Sequence, residues 1–341
     1  MATDYVLFIH GVNTRSQREK PDYADELFEL ITKYIDTGYE LQKIPLYWGN
    51  VNKEGEDKLL CKLQSEDGCW QQLWFKQFRQ TTLLQFAGDA ASYISRTVGS
   101  KVVEKLNQDM LKGLKNAGSQ DRLHLVTHSW GTVILFDVLF AERWNDENIE
   151  GSKYVQEIRR HFYGVEPNAQ EGIRVSSIHT MGSPIALFSL LDVVKGEKQA
   201  AGAAELTQSQ ARQRATHDIT PNLEALLKNL GKKLNGNKLL WRNYIHPGDP
   251  VAWPLNPLIY SLVDGLSQSV NVEDVVTELN GFDYLNLLFS QTPLALLLNG
   301  GNAHGSYFTS TKVAQTIVES IEKAAKQPVK AAKQPVLLNV S

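Results

Sequence analysis

The chain has little cysteine, and this excludes two classes of small stabilised protein. Its 341 residues contain only Cys61 and Cys69, too few for a disulfide framework. Neither cysteine has the neighbouring histidines that a zinc site needs. We interpret both as incidental residues.

An excess of positive charge is also missing. The 35 basic and 38 acidic residues leave a formal charge of −3, which argues against a nucleic-acid binder held by a basic surface. No run of about 18 apolar residues lacks polar interruption, as a membrane-spanning helix would require. The nearest approach, residues 282–298, is interrupted by several polar residues and a proline, so it is interpreted as a buried or lid-like pair of helices.

The beginning of the sequence shows no secretion signal. Residues 1–4 lead directly into the apolar run Tyr5 to Ile9, without a basic region or a small-residue cleavage site. This predicts a cytoplasmic protein. With 42% hydrophobic and 21% charged residues, the composition is that of a globular chain that buries a large core, in one large domain or two ordinary ones.

What is present is an alternation of strand-like and helix-like segments. It predicts an α/β fold with a doubly wound, mostly parallel sheet flanked by helices. The expected strands are Tyr5–Ile9, Tyr39–Trp48, Leu123–Thr127, Ile173–Thr180 and Leu239–Ile245. The expected helices are Asp22–Asp36, Trp130–Trp144, Asn222–Leu234 and Thr311–Lys326.

Residues 1–322 are expected to form a single domain with two additions. A helical excursion at about 56–117 is either a long crossover or a cap over a site. An insertion at about 196–237 is rich in Ala, Gln, Lys and Asn and is predicted to be exposed. Residues 323–341 form a low-complexity tail, because residues 323–329 are repeated directly as 330–336 with a proline in each copy. A basic docking tail is the alternative.

The strongest chemical signal is Thr127-His128-Ser129-Trp130-Gly131, between a predicted strand and a predicted helix. A serine on such a tight turn projects its hydroxyl above the strand ends, and small residues two positions before and after it let the helix pass close by. Gly131 meets that requirement. Thr127 stands where the usual motif has its first glycine, so the motif is incomplete.

A serine needs a base to remove its proton, and eight histidines are available. His304 lies in a glycine-rich loop just before the last helix, a position that brings an imidazole across the top of the sheet. It is the predicted base. His124, in the middle of a strand, and His128, with its side chain turned away from Ser129, are interpreted as structural.

The acid that orients the base is expected after a late strand, between Ser129 and His304 in the chain. Asp249 follows the strand Leu239–Ile245 inside a Pro/Gly turn and is preferred, although such turns favour aspartate for structural reasons too. Asp264 and Asp283 are the reserves.

Acyl transfer also develops negative charge on the substrate oxygen, which preorganised amides must stabilise. Gly11, after His10 at the end of the first strand, allows a sharp turn that directs the amide of Val12 into the site. The second predicted donor is the amide of Trp130. A His-Gly pair at a strand end is also an ordinary turn, but here four separate elements fall in the right order at the ends of predicted parallel strands.

Together these segments resemble the α/β-hydrolase superfamily, and within it the serine lipases and esterases. The resemblance runs from residue 5 to about 310. It rests on segments similar to the oxyanion strand (residues 8–13), the nucleophile elbow (127–131), the T-x-G-S-P strand end (180–184), the acid loop (249–255) and the histidine loop (304–307).

The resemblance implies a serine carboxylic-ester hydrolase that works through an acyl-enzyme, without metal or cofactor. Ser129 would be the nucleophile, His304 the base and Asp249 its partner, with His10, Gly11, His128 and Gly131 supporting the site. The substrate would be a small-molecule or lipid ester; amide or thioester hydrolysis and peripheral membrane contact stay open, and protein partners are unknown. The alternative is a weakly active or inactive hydrolase scaffold that serves as a protein- or membrane-interaction module.

Overall fold

A computed structural model describes residues 2–12, 21–51, 53–63, 76, 93, 96–188, 219–263, 268–278 and 303–327. Within these ranges six parallel strands form one sheet in the order β2-β1-β3-β4-β5-β6. The strands are β1 (Thr3–Ile9), β2 (Glu40–Leu46), β3 (Arg122–His128), β4 (Arg174–Met181), β5 (Leu239–Ile245) and β6 (Val270–Val276). The predicted α/β fold with a parallel sheet is therefore confirmed.

The helices are α1 (Asp25–Tyr34), α2 (Lys53–Leu63), α3 (Arg96–Gly113), α4 (Trp130–Phe140), α5 (Ser152–Arg160), α6 (Ile185–Phe188), α7 (Thr220–Lys233), α8 (Asn256–Leu262) and α9 (Thr311–Lys326). Short 3₁₀ turns occupy Glu142–Asn145 and Ser306–Thr309. The sequence analysis did not predict β6, whose polar Asn271, Glu273 and Asp274 interrupt the apolar pattern.

Helices cover both faces of the sheet. Along β1, Tyr5, Leu7 and Ile9 belong to one buried cluster, while Val6 and Phe8 belong to another. The first cluster is closed by residues of α3, α4, α5 and α7, and the second by residues of α1 and α9. Because successive side chains point to opposite faces, a strand covered on both sides is apolar throughout. This explains the continuous run at the start of the chain.

The parallel register brings the carboxyl ends of the central strands to one edge. Ile9 of β1 pairs with Thr127 of β3, and Thr127 pairs in turn with Thr180 of β4. The segments that follow β1, β3, β4 and β5 therefore emerge side by side, where ligands bind in open parallel sheets.

The described part of the insertion, residues 219–237, corrects an expectation. It was predicted to be exposed, but α7 packs into the core and buries Leu223, Leu226, Leu227 and Leu230. These leucines follow the i, i+3, i+4, i+7 spacing of one helix face. The Lys, Asn and Gly residues between them lower the mean hydropathy and concealed that face.

The described part of the helical excursion includes a crossover. Helix α3 connects to β3 and buries Val102, Val103, Leu106 and Met110 against the sheet. At the other end of the chain α9 continues through Lys326 and buries Ala324, so the helix includes the first four residues assigned to the tail.

Several sequence expectations fall on residues that are not described. These are the apolar stretch 282–298, the reserve acids Asp264 and Asp283, and most of the insertion and of the repeat tail. Among the helices that the structure does describe, none has the length and hydropathy needed to cross a membrane.

A buried chain of hydrogen bonds crosses the sheet on the α1/α9 face. His124 joins Asp4 Oδ1 through Nε2 (3.0 Å) and Ser177 Oγ through Nδ1 (2.7 Å). Ser177 Oγ then contacts His179 Nε2 (2.8 Å), and His179 Nδ1 contacts the Tyr244 hydroxyl (2.9 Å). Burial lowers the pKa of both imidazoles and so favours their neutral forms, each with one accepting nitrogen. With both neutral, one arrangement satisfies every link: Tyr244 donates to His179, His179 to Ser177, Ser177 to His124, and His124 to the carboxylate.

This arrangement predicts that the fold loses stability in mild acid. Burial lowers the pKa of His124 and of His179, and burial with the nearby His304 lowers the pKa of His128 to about 3. In the unfolded chain these histidines take up protons below about pH 6.5, so folding is opposed as the pH falls. We expect His128 alone to lower the free energy of unfolding by about 2 kcal/mol between pH 7 and pH 5, and His124 and His179 to lower it further.

Urea unfolding at the two pH values measures this loss. The lowered pKa values of Asp4 and Asp249 contribute little in this window, because their contribution is lost only as the pH falls below about 4. Equal unfolding free energies at pH 7 and pH 5 would contradict the neutral hydrogen-bond chain.

Candidate active site

Ser129 occupies a strained turn between β3 and α4. Its backbone angles are φ 53° and ψ −132°, a region that non-glycine residues enter only when the surrounding structure holds them there. The Ser129 amide donates to the Met181 carbonyl at 2.9 Å, and its carbonyl accepts from Thr132 at 3.0 Å. All eleven residues of α4 are buried, so the helix that follows is fixed in the core. The hydroxyl of Ser129 is thereby held at the carboxyl edge of the sheet.

Two glycines allow the chain to approach this turn closely. A Cβ atom on Gly131 would lie 2.3 Å from the His10 carbonyl oxygen, and one on Gly11 would lie 2.5 Å from Ser129 Cβ. Gly11 is thus required for space beside Ser129, whereas the sequence suggested a role in turning the chain. At the position of the missing glycine, Thr127 is buried and its hydroxyl bonds that of Thr132 at 2.8 Å. The departure from the motif is accommodated by this bond.

Asp249 and His304 come together from loops 55 residues apart in the chain. His304 Nδ1 lies 2.9 Å from Asp249 Oδ2, and the other carboxylate oxygen accepts from the Val251 amide at 2.9 Å. With Nδ1 donating to the carboxylate, His304 Nε2 is the accepting nitrogen. Both His304 Nε2 and Ser129 Oγ are buried atoms that have no hydrogen-bond partner among the described residues.

The carboxylate of Asp249 is buried yet ionised. Burial alone raises its pKa, but the hydrogen bond and electrostatic interaction with His304, the hydroxyl of Tyr307 and the amide of Val251 outweigh burial and lower it. Burial and the adjacent Asp249 in turn raise the pKa of Tyr307, which stays a neutral phenol. The site therefore combines a fixed negative charge with an imidazole whose free nitrogen can accept a proton.

His128, expected from the sequence to support the site without acting as the base, contacts the candidate base directly. Its Nε2–H donates to the His304 carbonyl oxygen at 2.7 Å, and the two rings lie 4.6 Å apart between centroids. Because its pKa is lowered to about 3, this imidazole is neutral at physiological pH. His128 thus connects the loop of His304 to the end of the strand that carries Ser129.

Gly182 provides the space in which the acid and base meet. It follows β4 with φ 55°, and a Cβ atom there would lie 2.7 Å from Asp249 Oδ2 and 3.0 Å from His304 Nδ1. The sequence showed this glycine only as part of a strand end similar to that of lipases. The contacts that demand it come from loops more than 60 residues away.

The segment after β1 is held by the ring of His10. Its Nε2 accepts from the Trp48 amide at 3.2 Å, which leaves Nδ1–H to donate to the Gly11 carbonyl at 2.6 Å. The rings of His10 and Trp48 stack with centroids 5.3 Å apart. In a trans peptide the N–H points away from the preceding carbonyl, so this bond fixes the direction of the Val12 amide. The Trp130 amide lies at the N-terminus of α4, where the helix dipole favours negative charge.

Comparisons with known proteins add little to this geometry. No family model matches the chain, and no curated protein matches it. One similar solved structure is an iodinated complex of acetyl xylan esterase, with 7% identity over 94% of this chain and 98% of that one, and a TM-score of 0.32. A likeness of this degree carries no information about activity.

The contacts of Gly182 predict that its replacement by alanine separates the acid from the base. An alanine at this position would be strained by the positive φ, and its methyl group would clash with Asp249, His304 and Tyr307. We therefore expect Gly182→Ala to lower the free energy of unfolding by about 2–4 kcal/mol. The downfield proton NMR signal of His304 Nδ1–H, bonded to Asp249, should be lost.

Two other glycines serve as controls that separate backbone strain from the clash of the added methyl group. Gly236→Ala has the same backbone strain at φ 84° but open space, and Gly305→Ala has open space beside His304 without that strain. Both should keep the NMR signal, and only Gly236→Ala should lose about 1 kcal/mol. An unchanged signal in Gly182→Ala would contradict the close approach.

Proposed function

We propose that this protein is a serine hydrolase that cleaves carboxylic esters through Ser129, His304 and Asp249. One observation carries the proposal. The bond from His304 Nδ1 to Asp249 Oδ2 orients an imidazole whose Nε2 has no partner in the described structure, at the same sheet edge as a strained serine whose Oγ has none either. The two atoms do not bond each other in this structure. A buried hydroxyl and a buried imidazole nitrogen that both lack partners fit a nucleophile and a base whose hydrogen bond forms when substrate binds.

Contacts at the end of β4 link the turn of Ser129 to the loop of His304. Ser129 donates its amide to Met181, and the next residue, Gly182, is the one whose Cβ would approach His304 Nδ1 to 3.0 Å. His128, beside Ser129 in the chain, bonds the His304 carbonyl. These links support a reaction in which Ser129 and His304 act on one substrate.

The proposed reaction has two halves. Ser129 Oγ attacks the ester carbonyl carbon while its proton passes to His304 Nε2, and the oxyanion is stabilised by the amides of Val12 and Trp130. Collapse of this intermediate breaks the bond to the alcohol, which leaves with the proton from Nε2. Water then gives a proton to Nε2 and attacks the acyl-serine, and the acid is released as the proton returns to Ser129. Asp249 keeps Nδ1–H oriented and stabilises the transient imidazolium.

The segment that begins at Trp253 bears on which acyl groups the site would accept. The apolar stretch beginning at Trp253 is partly core, because Leu255 and Ile259 are buried. Trp253 itself is 43% exposed, and its amide bonds the Ser183 carbonyl near the strand end at 3.3 Å. This exposed indole favours an apolar acyl chain, and a series of chain lengths distinguishes a short-chain esterase from a lipase.

Covalent labelling tests the assignment of the nucleophile and the base. Wild-type protein should react with a fluorophosphonate probe and hydrolyse p-nitrophenyl esters, whereas Ser129→Ala and His304→Ala should lose labelling. Both variants should lower kcat/KM by about 10⁴-fold or more, because each removes a member of one unit. Ser176→Ala is the matched control, since Ser176 is a buried serine inside β4 whose hydroxyl donates to the Arg174 carbonyl at 3.5 Å.

A folded wild-type chain that neither labels nor hydrolyses any ester would overturn the proposal. The interaction-module reading would then be tested by capture experiments with vesicles. Labelling that persists in Ser129→Ala would instead place the nucleophile elsewhere.

A further inference from the structure

Asp249 receives two hydrogen bonds on the same oxygen. Its Oδ2 accepts from His304 Nδ1 at 2.9 Å and from the Tyr307 hydroxyl at 2.7 Å. Tyr307 lies in the 3₁₀ turn that follows His304, and its side chain is fully buried. The tyrosine is therefore a second, permanent donor to the carboxylate oxygen that orients the candidate base.

The direction of the phenolic proton is fixed by a third group. The His246 backbone N–H donates to the Tyr307 hydroxyl oxygen at 2.9 Å. Because that oxygen already accepts from an amide, its own proton is directed to Asp249. The ring is confined by Gly182, where a Cβ atom would lie 2.9 Å from Tyr307 Cε2. The phenol thus has one orientation, set by the ends of β4 and β5.

We propose that Tyr307 is a positioning residue that limits how strongly Asp249 attracts the Nδ1 proton of His304. The inference rests on the proposed function. Its own observation is the second donor, the Tyr307 hydroxyl, on the carboxylate oxygen that His304 also bonds.

The physical effect follows from sharing one acceptor. A hydroxyl that donates to Oδ2 withdraws negative charge from it, so the bond from Nδ1–H to this oxygen is weaker and the carboxylate is less basic. Without the phenol, the full negative charge of Asp249 would face Nδ1–H. The imidazolium that forms during the reaction would then be stabilised more strongly, and the acid limb of the activity profile would move to higher pH.

The other titratable groups around the pair do not produce this effect. His128 faces His304 from the end of β3, but with its pKa lowered to about 3 it stays neutral over the range of hydrolysis. His10 lies at the end of β1, and His246 lies at the end of β5 with its Nδ1 accepting from the Gly248 amide at 3.0 Å. Neither donates to Asp249 Oδ2 in the bonds that the structure gives to that oxygen.

The first experiment is the pH profile of kcat/KM for wild type, Tyr307→Phe and Tyr244→Phe. We expect the acid limb of Tyr307→Phe to move to higher pH by about 0.5 unit or more. Tyr244→Phe also removes a buried phenol, but one that bonds His179 and not Asp249, and should leave the limb in place. A uniform loss of activity in Tyr307→Phe with an unmoved limb would overturn the proposal in favour of a purely structural role.

The second readout does not depend on activity. The proton on His304 Nδ1 gives a downfield NMR signal, which should move further downfield in Tyr307→Phe because its acceptor oxygen is no longer shared. A signal at the wild-type position in that variant overturns the proposal even if no ester is hydrolysed. Absence of hydrolysis and labelling in wild type, with the shifted signal present in the variant, would reject the proposed function alone.

A third measurement covers the case in which Tyr307→Phe does not fold. Fluorotyrosine at position 307 keeps the shape of the side chain and makes the hydroxyl a stronger donor. The acid limb should then move to lower pH, and the Nδ1 proton signal should move upfield. No movement of either would overturn the proposal.

Discussion

The close approach of three backbone segments around Ser129 is the constraint on which the candidate site depends. The end of β1 touches the turn between β3 and α4 at Gly11 and Gly131, where an added Cβ would fall 2.5 Å and 2.3 Å from its neighbours. The end of β4 approaches the Asp249–His304 pair at Gly182, where an added Cβ would lie 2.7 Å from Asp249 Oδ2, too close for a side chain. Side chains at these positions would move the strand ends apart. The three glycines therefore determine how closely the strand ends and loops of the site approach one another.

That compactness requires buried charge to be compensated. Asp249 has no exposed side-chain surface and would be costly as an isolated carboxylate. Three donors, from His304, Tyr307 and the Val251 amide, offset the loss of water and keep it ionised. Asp4 shows the same solution on the sheet face, where Arg122 and His124 surround its carboxylate. In both places an oriented histidine completes the hydrogen bonding of the carboxylate.

The elements that could be predicted from the sequence are those with a clear local pattern of apolar and polar residues. Apolar runs that end in glycine or a turn, such as Tyr5 to Ile9, predicted β1 and β5 and hence the sheet edge at which Ser129, Asp249 and His304 lie. Helix α9 was predicted with its observed bounds, because its face has a strong 3.6-residue periodicity. Strand β6 was missed because it lies at the edge of the sheet, where polar residues alternate with valine. The burial of α7 was missed because composition was given more weight than the spacing of its leucines.

The sequence by itself determined the class of fold and the order of the chemically capable residues, since both are written in local patterns and in the rule that parallel strands end at one edge. It could not determine which donors share an oxygen, which histidine is neutral, or why Gly182 must lack a side chain. Those properties depend on distances of 2.5–3 Å between segments far apart in the chain. Residues such as Tyr307 acquire their role only when the loop after β5 and the segment before α9 meet, because a hydrogen bond is decided by geometry that no local pattern encodes.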